Sequence, residues 1–230
     1  MDLRQKVAER ALNSIQDGMV LGIGTGKTTT LFIDMLGERV QKGELKNILS
    51  VPTSEASAVR LREYGIPLTN LADHPQLDLA VDGADEVDPD LNLLKGLGHA
   101  LLREKIVESH ARHFLVIIDE SKLVKRLGTN CPLPLEILPF EAFSHIQWLE
   151  SLGCRAEFVR EDDESLKLTD NGNYLVHCYF EGGFPDLHEL DEKLAHRPGI
   201  LEHGLFLGMA SQVLVAEAAG IRTLERKYGR

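Results

Sequence analysis

The sequence is poor in cysteine, has no long apolar run and carries no excess of positive charge. Its three cysteines, Cys131, Cys154 and Cys178, lie far apart and form no C-x-x-C pattern, which is typical of free thiols in a reducing compartment. No apolar run approaches the roughly 18 residues of a membrane-spanning helix. The first residues also lack the apolar core of a signal peptide. These absences predict a cytoplasmic protein without a membrane partner.

The charge balance narrows the class of partner further. The chain has 25 Lys and Arg against 36 Asp and Glu, a formal net charge of −11 over 230 residues. Nucleic acids and anionic membranes bind through clustered cations, so this balance argues against both as the main partner. A small anionic substrate remains possible, because a pocket can be locally positive on an acidic protein. The length is sufficient for a substantial core without disulfides.

Apolar strands alternate with helical patterns over the first half of the chain. This rhythm predicts an α/β fold with an open, mostly parallel sheet flanked by helices. In such sheets ligands bind beyond the carboxyl ends of the strands. The predicted helices are 2–17, one after the glycine-rich turn at 24–30, one capped by Ser54 and ending near Tyr64, and about 99–111; the predicted strands are 19–23, 48–51, 77–81 and 114–118.

After Leu127 the pattern changes, with prolines at 132, 134 and 139 and a strong turn signal at Asp170-Asn171-Gly172-Asn173. The predicted elements here are a helix at 141–152, strands at 154–160 and 174–180, a helix at 186–195 and an extended segment at 200–207. They indicate a small α+β (ferredoxin-like) domain at about 128–205. Strands at 212–216 and 221–224 are predicted to return to the main domain, which then comprises 1–127 plus about 206–230.

The stretch from Asp82 to Glu104 concentrates charged residues and glycines directly after a buried strand. A solvated acidic turn is the usual interpretation of such a run, and a metal site is a further alternative, although the spacing is not that of an EF-hand. Gly83-Ala84 favours a ligand, because small residues let it approach the backbone closely. We therefore predict the chemistry of this protein in this stretch.

Gly24-Thr25-Gly26-Lys27-Thr28 is similar to a phosphate-binding turn between a strand and a helix. It is not a P-loop, because Gly22 is one residue too close to the Gly26-Lys27 pair. It also lacks the third glycine of G-x-G-x-x-G, since Lys27 occupies that position. A simple strand-to-helix turn is the alternative. Three following threonines favour a small phosphate.

Single residues outside these motifs carry less information. His110 and His113 stand three residues apart, a spacing that could bind a metal on one helix face, but no third metal ligand is evident, so surface or core histidines are the preferred interpretation. His99 follows Gly98 and is placed near any ligand of that loop. Lys122 emerges after a strand at the same predicted sheet edge and is a candidate phosphate ligand.

In this order and spacing, the segments resemble the A-type ribose-5-phosphate isomerases. The resemblance covers nearly the whole chain, and its most specific parts are the Asp-Gly-Ala-Asp-Glu and Leu-Arg-Glu-Lys segments. The matching segments lie at 24–28, 51–54, 82–88, 95–98, 100–106, 119–122, 134–139 and 169–173.

The resemblance implies interconversion of ribose 5-phosphate and ribulose 5-phosphate through an enediolate, without metal or organic cofactor. Glu104 would be the base, and Lys95 would stabilise the enediolate charge. Asp82 and Asp85 would act at the hydroxyls of the sugar and in ring opening. The implied substrate-binding residues are Thr25, Gly26, Lys27, Thr28, Gly83, Ala84, Gly96, Leu97, Gly98 and Lys122. The resemblance also implies a homo-oligomer, a dimer or a tetramer.

Three residues depart from the family pattern. Lys27 replaces a small hydroxyl residue, and Leu97 and His99 stand where glycine is common. If position 97 requires a positive φ, leucine costs roughly 1–2 kcal/mol there. Two rivals remain: a non-catalytic sugar-phosphate sensor of related fold, and an acyl-CoA transferase-like activity, for which the chain is short. The missing helix-turn-helix before residue 19 and the presence of Glu104 count against the sensor.

Overall fold

The computed structural model describes residues 2–226, and their contacts form two compact units. Residues 2–84, 103–123 and 207–226 make the first unit, and 85–102 with 124–206 make the second. The predicted small domain thus falls inside the second unit. Residues 85–102, which the prediction assigned to the main domain, also group with this unit. Helices and strands are numbered below along the chain.

The first unit contains a six-stranded sheet in the order β13-β12-β6-β3-β1-β2. All neighbours are parallel except β12 and β13, which form an antiparallel hairpin at one edge. This confirms the predicted open, mostly parallel sheet and the return of the final strands. The strands are β1 Val20–Ile23, β2 Leu49–Pro52, β3 Leu79–Asp82, β6 Phe114–Asp119, β12 Gln212–Glu217 and β13 Gly220–Glu225.

Helices flank this sheet through apolar faces. The helices are α1 Leu3–Leu12, α2 Lys27–Gln41, α3 Glu55–Glu63 and α4 Leu101–Ser109, and a 3₁₀ turn follows β6 at Glu120–Lys122. In α2 the buried residues Phe32, Ile33 and Leu36 recur at helical spacing and pack in the core with strands β1, β3 and β6. Ser54 caps α3 as predicted, because its Oγ accepts from the N–H of Ser57 at 3.1 Å.

The second unit contains a β-α-β-β-α-β segment: β7 Leu133–Ile137, α5 Ser144–Glu150, β8 Cys154–Phe158, β9 Tyr174–Phe180, α6 Leu187–Ala195 and β10 Ile200–His203. Its sheet is antiparallel in the order β10-β7-β9-β8. That order is the one expected of a ferredoxin-like fold. The predicted turn at 170–173 lies directly before β9, with Leu168 bridged to Tyr174 across it.

A second, three-stranded sheet of this unit was not predicted. It joins β4 Glu86–Val87, β5 Leu93–Leu94 and β11 Leu205–Phe206 in the order β11-β5-β4. Strands of two residues carry too little periodicity to be recognised. The predicted extended segment 200–207 therefore consists of two strands, β10 and β11, separated by Gly204. A Cβ at Gly204 would lie 2.2 Å from the carbonyl oxygen of Lys95.

Most predicted boundaries lie within a few residues of the observed ones, and the largest error is at α1. The predicted helix 2–17 ends at Leu12, because the chain turns at Asn13 and Ser14. Asp17 then accepts from the N–H of Lys46 at 2.9 Å instead of continuing a helix. In residues 2–226 no helix has the length and apolar character needed to span a membrane.

Replacing Phe32 by alanine tests the packing of α2 on the sheet. Phe32 is fully buried, so Phe32→Ala should lower the free energy of unfolding by about 3–5 kcal/mol. Val59→Ala, at an exposed position of α3, is the control and should change it by less than about 0.5 kcal/mol. Denaturant titration measures both, and equal effects would contradict this description of the core.

Candidate active site

Asp82 occupies the end of β3 and is fully buried. Three donors converge on its Oδ1: the N–H of Thr25 at 3.0 Å, the N–H of Gly83 at 2.7 Å and the Thr29 hydroxyl at 2.9 Å. Charge-assisted bonds of this kind are strong and fix the direction of a carboxylate. Asp82 is therefore held rigidly at the carboxyl edge of the sheet, where the fold places ligands.

Gly24 makes this arrangement possible by having no side chain. A Cβ at position 24 would lie 1.8 Å from Cγ of Asp82 and 2.0 Å from its Oδ1. The Gly24 N–H also donates to the carbonyl of Val81 at 3.0 Å, which continues the pairing of β1 with β3. The carboxylate and the glycine loop thus pack directly against each other, and glycine is required for space.

A cluster of hydroxyls ties the glycine loop to the start of α3. The Thr25 Oγ1 lies 2.8 Å from the hydroxyl oxygens of both Thr53 and Ser54. The Ser57 hydroxyl donates to the carbonyl of Gly24 at 2.6 Å. Thr53 and Ser57 were not predicted as part of the site. The only sequence signal was the Val-Pro-Thr-Ser segment, whose partners lie 28 or more residues away in sequence.

The glycine loop leads into the N-terminus of α2. Gly26 precedes the helix with φ of 123°, in a region that favours glycine, and no side chain caps the helix there. Thr25 and Thr28 are half-buried, while Gly26 and Lys27 are exposed. A 15-residue helix with an uncapped N-terminus offers N–H groups and a partial positive charge to an anion. The Thr29 hydroxyl, in contrast, donates its hydrogen bond to Asp82.

Glu104 lies in the first turn of α4 and is only 3% exposed. The preceding residue points elsewhere: the Arg103 guanidinium contacts Glu55 at the start of α3, with Nη1 and Oε1 2.9 Å apart. Glu108, one turn further along α4, is a second buried carboxylate. Glu104 is therefore buried, whereas Arg103 and Lys105 on either side of it are half-buried.

Lys122 lies in the 3₁₀ turn that follows β6 and is half-buried. The turn begins at Asp119, whose Oδ1 accepts from the N–H of Ser121 at 3.0 Å. Since β6 is parallel to β3, Lys122 follows the carboxyl end of its strand just as Gly83 and Ala84 follow theirs. The first unit thus contains these predicted site residues: Asp82, Gly83, Ala84, Glu104, Lys122 and residues 25–28.

In the second unit, Lys95 is buried to 2% exposure on a short loop after β5. Its N–H donates to the carbonyl of Gly204 at 2.9 Å, and its Nζ lies 5.4 Å from the centroid of the Phe206 ring. A cation over an aromatic face is stabilised by the ring quadrupole. The ammonium group is therefore held in a defined position instead of extending into bulk water.

Asp85 fixes the loop that follows Lys95. Its N–H donates to the carbonyl of Leu94 at 2.8 Å, and its Oδ2 accepts from the N–H of Leu97 at 3.0 Å. The loop turns tightly, because the N–H of His99 donates to the carbonyl of Gly96 at 3.0 Å. Asp85 and residues 95–98 therefore form one rigid element of the second unit.

The positive φ angles of the 95–99 loop lie at Gly96 and His99. Gly96 has φ of 112° and His99 has φ of 68°, whereas Leu97 has no positive φ. The condition under which leucine would be strained at position 97 is therefore not met. Histidine is enriched in this left-handed region relative to most residues, which limits the cost. Gly96 also has little room for a side chain, since a Cβ would lie 2.8 Å from Cδ2 of Leu101.

The His99 side chain favours its neutral form. Burial lowers the pKa of His99, and the positive charge of Lys167 lowers it further, while Glu161 and Asp85 oppose the shift. Burial likewise lowers the pKa of His177 to about 4, with repulsion from His99 as the second cause. Neither imidazole therefore supplies a positive charge for an anionic ligand at neutral pH.

The other acids of the 82–88 run hold loops in place. The Glu86 carboxylate accepts from the N–H groups of Gly128, Asn130 and Cys131 at 2.5–2.9 Å. The Asp88 carboxylate accepts from Asp90 and Asn92. His110 Nδ1 lies 2.8 Å from the carbonyl of Ile106 on its own helix. Between residues 2 and 226, no three His, Cys, Asp or Glu side chains form a group that could hold a metal ion.

Comparisons with known proteins point to one enzyme family. The family model described as ribose 5-phosphate isomerase A (phosphoriboisomerase A) matches residues 49–220. Ribose-5-phosphate isomerase A of Thermosynechococcus vestitus is 46% identical over 218 residues, which is 94% of this chain and 91% of that protein. The same enzyme of Roseiflexus castenholzii is 46% identical over 222 residues, with 96% and 94% covered.

Solved structures give the same result. A D-ribose-5-phosphate isomerase in complex with phospho-erythronic acid superposes with a TM-score of 0.94 at 39% identity, covering 98% of this chain and 100% of that one. Ribose 5-phosphate isomerase from Plasmodium falciparum has a TM-score of 0.95 at 36% identity, with 98% and 99% covered.

Gly24→Ala tests the contact between the glycine loop and Asp82. The added methyl group overlaps the carboxylate, so the Asp82 bonds must break or the loop must move, and we expect a loss of about 2 kcal/mol or more in unfolding free energy. Gly83→Ala is the control, because a Cβ there would lie 3.8 Å from the carbonyl oxygen of Ile117. Denaturant titration compares the two, and a neutral Gly24→Ala would contradict the packing described.

Proposed function

The chain belongs to the ribose 5-phosphate isomerase A family, and we propose that Glu104 is the acid–base catalyst of its reaction. The protein is an aldose–ketose isomerase that interconverts ribose 5-phosphate and ribulose 5-phosphate. Its relatives are named as isomerases, so the non-catalytic sensor is not favoured. The observation that supports the role of Glu104 is its burial in the first turn of α4.

The reaction needs one base that takes a proton from one carbon and returns it to the next. Glu104 removes the proton from C2 of the open-chain aldose, and the electrons move into a 1,2-enediolate. The proton of the C2 hydroxyl passes to O1, and the same carboxyl group gives its proton to C1, which leaves the carbonyl at C2. The reverse direction exchanges the two carbons. A carboxylate suits this task, because it accepts and releases a proton without leaving its position.

Lys95 and Asp85 are proposed to act at the reacting end of the sugar. Negative charge develops on the enediolate oxygens, and the Lys95 ammonium stabilises it. The contact with Phe206 keeps that ammonium oriented. Asp85 binds a sugar hydroxyl and holds the 95–98 loop through Leu97. The substrate also contacts the backbone of Gly96, Leu97 and Gly98, as the resemblance implies.

Asp82 is proposed to orient a sugar hydroxyl and to assist ring opening. Its support is the fixed direction of the carboxylate, which Thr25, Thr29 and the N–H of Gly83 impose. Gly83 and Ala84 follow it with small side chains, which leave space for the sugar.

We propose that the phosphate group of the substrate binds at the N-terminus of α2. Thr25, Gly26, Lys27 and Thr28 present backbone N–H groups, hydroxyls and one exposed ammonium there, and Lys122 adds a second cation. Helix N-termini bind phosphate through N–H groups and the helix dipole. This provides local positive charge on a chain whose net charge is −11. We propose no metal or organic cofactor, because a carboxylate and an ammonium suffice for an enediolate.

We propose a homo-oligomer, formed through an apolar patch of the second unit. Phe140 is 78% exposed and Phe143 is 63% exposed, and Leu138, Leu168 and Leu201 are also exposed. Strand pairing places these residues at one end of the β10-β7-β9-β8 sheet, since Ile137 pairs with both Ile200 and Tyr174. Large exposed aromatics in one patch are typical of a protein interface. A second copy of the chain is the proposed partner.

The proposed compartment is the cytoplasm. Its support is the state of the three cysteines, which are all free thiols, with Cys154 and Cys178 buried. Free thiols persist in a reducing environment.

Glu104→Gln tests the proposed base. The amide cannot accept the proton, so kcat for ribose 5-phosphate isomerisation should fall by about 10²–10⁴-fold, with a much smaller change in KM. Glu108→Gln, one turn away and equally buried, is the matched control and should keep most of the activity. A chelator should leave the wild-type rate unchanged.

Normal kcat in Glu104→Gln would refute the base assignment. No isomerisation by the wild-type protein, combined with tight binding of ribose 5-phosphate, would instead favour the sensor. The two failures are distinguished by measuring binding calorimetrically beside the rate.

Phe140→Asp combined with Phe143→Asp tests the proposed interface. Two charges in an apolar contact are strongly unfavourable, so the double variant should sediment as a monomer at concentrations where the wild type sediments as a dimer or tetramer. Val59→Asp, at an exposed apolar position of α3, should not change the sedimentation coefficient. An unchanged oligomer in the double variant would contradict the proposal.

A further inference from the structure

A concave site lies in the first unit, near the residues to which we assign the catalytic roles. It has a volume of about 450 Å³ and is bounded by the end of β2, one face of α3, the segment 68–71 and Arg103 of α4. Small-molecule sites occupy this range of volumes. Neither Asp82 nor Glu104 lines it, and none of the residues 25–28 does. The depression is therefore separate from the proposed catalytic residues of its own unit.

The floor of this site is apolar and its rim is cationic. Val51, Ala58, Leu68 and Leu71 supply aliphatic surface, and Arg62 and Arg103 supply two guanidinium groups against the single carboxylate of Glu55. The balance of these charged groups is one positive charge, on a chain whose total is −11. An anion with an apolar or aromatic body would match both surfaces.

The two arginines of the rim differ in how they are engaged. Arg103 is paired with Glu55 at 2.9 Å and is held in place. Arg62 is exposed in the last turn of α3 and has no ion pair within residues 2–226. Its neighbour Arg60, in contrast, contacts Asp34 at 2.6 Å and Glu63 at 3.2 Å. Arg62 is thus the guanidinium of α3 that a ligand can bind without breaking an existing pair.

Two walls of the site are connected to proposed catalytic groups. Ser54 lines the depression and lies 2.8 Å from the hydroxyl of Thr25, in the proposed phosphate loop. Arg103 lines it as well and directly precedes Glu104 on α4. A ligand here contacts Ser54, which bonds to the proposed phosphate loop, and Arg103, which is next in sequence to the proposed base.

We propose that this depression is a regulatory site for a small organic anion that joins a phosphate or carboxylate group to an aromatic body. The anionic group binds Arg62, and the body lies on the aliphatic surface that extends toward Arg103. Binding is independent of the isomerase reaction, whereas the expected effect on the rate rests on the proposed role of Glu104.

The binding experiment uses phenyl phosphate as the probe. Isothermal titration calorimetry of the full chain, with saturating ribose 5-phosphate present, should detect one site per chain. Inorganic phosphate lacks the aromatic body and should bind about tenfold or more weakly. Arg62→Glu should weaken phenyl phosphate about tenfold or more, because attraction becomes repulsion. Arg10→Glu, an exposed arginine in the last turn of α1, is the matched control and should change binding less than about twofold.

Kinetics give the second readout. Phenyl phosphate should change kcat in the wild type and in Arg10→Glu, and this effect should be lost in Arg62→Glu, whose KM for ribose 5-phosphate without the probe should stay unchanged. Equal binding in both variants, or complete displacement of the probe by ribose 5-phosphate, would overturn the proposal. Binding that depends on Arg62 without any change in kcat would overturn the regulatory part. Loss of isomerase activity in all samples would contradict the proposed function, and the calorimetric result would still decide whether the anion site exists.

Discussion

The contact between the Asp82 carboxylate and the backbone of the glycine loop determines much of the first unit. Asp82 ends β3 with no solvent exposure, and its Oδ1 accepts from two backbone N–H groups and one hydroxyl. A buried carboxylate is costly unless it is bonded in this way. The bonds are possible only because position 24 has no side chain. One interaction therefore fixes the start of α2, the end of β3 and, through Thr25, the start of α3.

The proposed roles explain why acidic and basic side chains occur together in this acidic chain. Proton transfer needs a carboxylate, and the enediolate and the phosphate both need positive charge. The structure places each sign in its own setting: Glu104 is buried in α4, Lys95 is over the Phe206 ring, and residues 25–28 are at a helix N-terminus. Glu86 and Asp88 carry the same charge as Asp82 and, like it, accept from the N–H groups of loops, so charge alone does not separate the proposed site residues from the others.

The fold was predictable wherever an element was long enough to show its period. The bounds of β9 agree with the predicted 174–180, and Ser54 caps α3 as expected. The two-residue strands β4 and β5 pair with each other and lie close in sequence, but they were missed because two residues show no period. Thr29, Thr53 and Ser57 were missed for a different reason: their hydrogen-bond partners are distant in sequence. The positive φ that follows Gly96 lies at His99 and not at Leu97, because the turn that Gly96 closes sets it.

The central claim is that a carboxylate moves a proton between C1 and C2 through an enediolate. Turnover in D₂O tests it directly, because a proton held on a carboxyl group exchanges with solvent during some fraction of the turnovers. After many turnovers of ribose 5-phosphate, mass spectrometry should find deuterium bound to C1 of ribulose 5-phosphate. Complete retention of the substrate hydrogen after prolonged equilibration would indicate direct hydride transfer and would contradict the account.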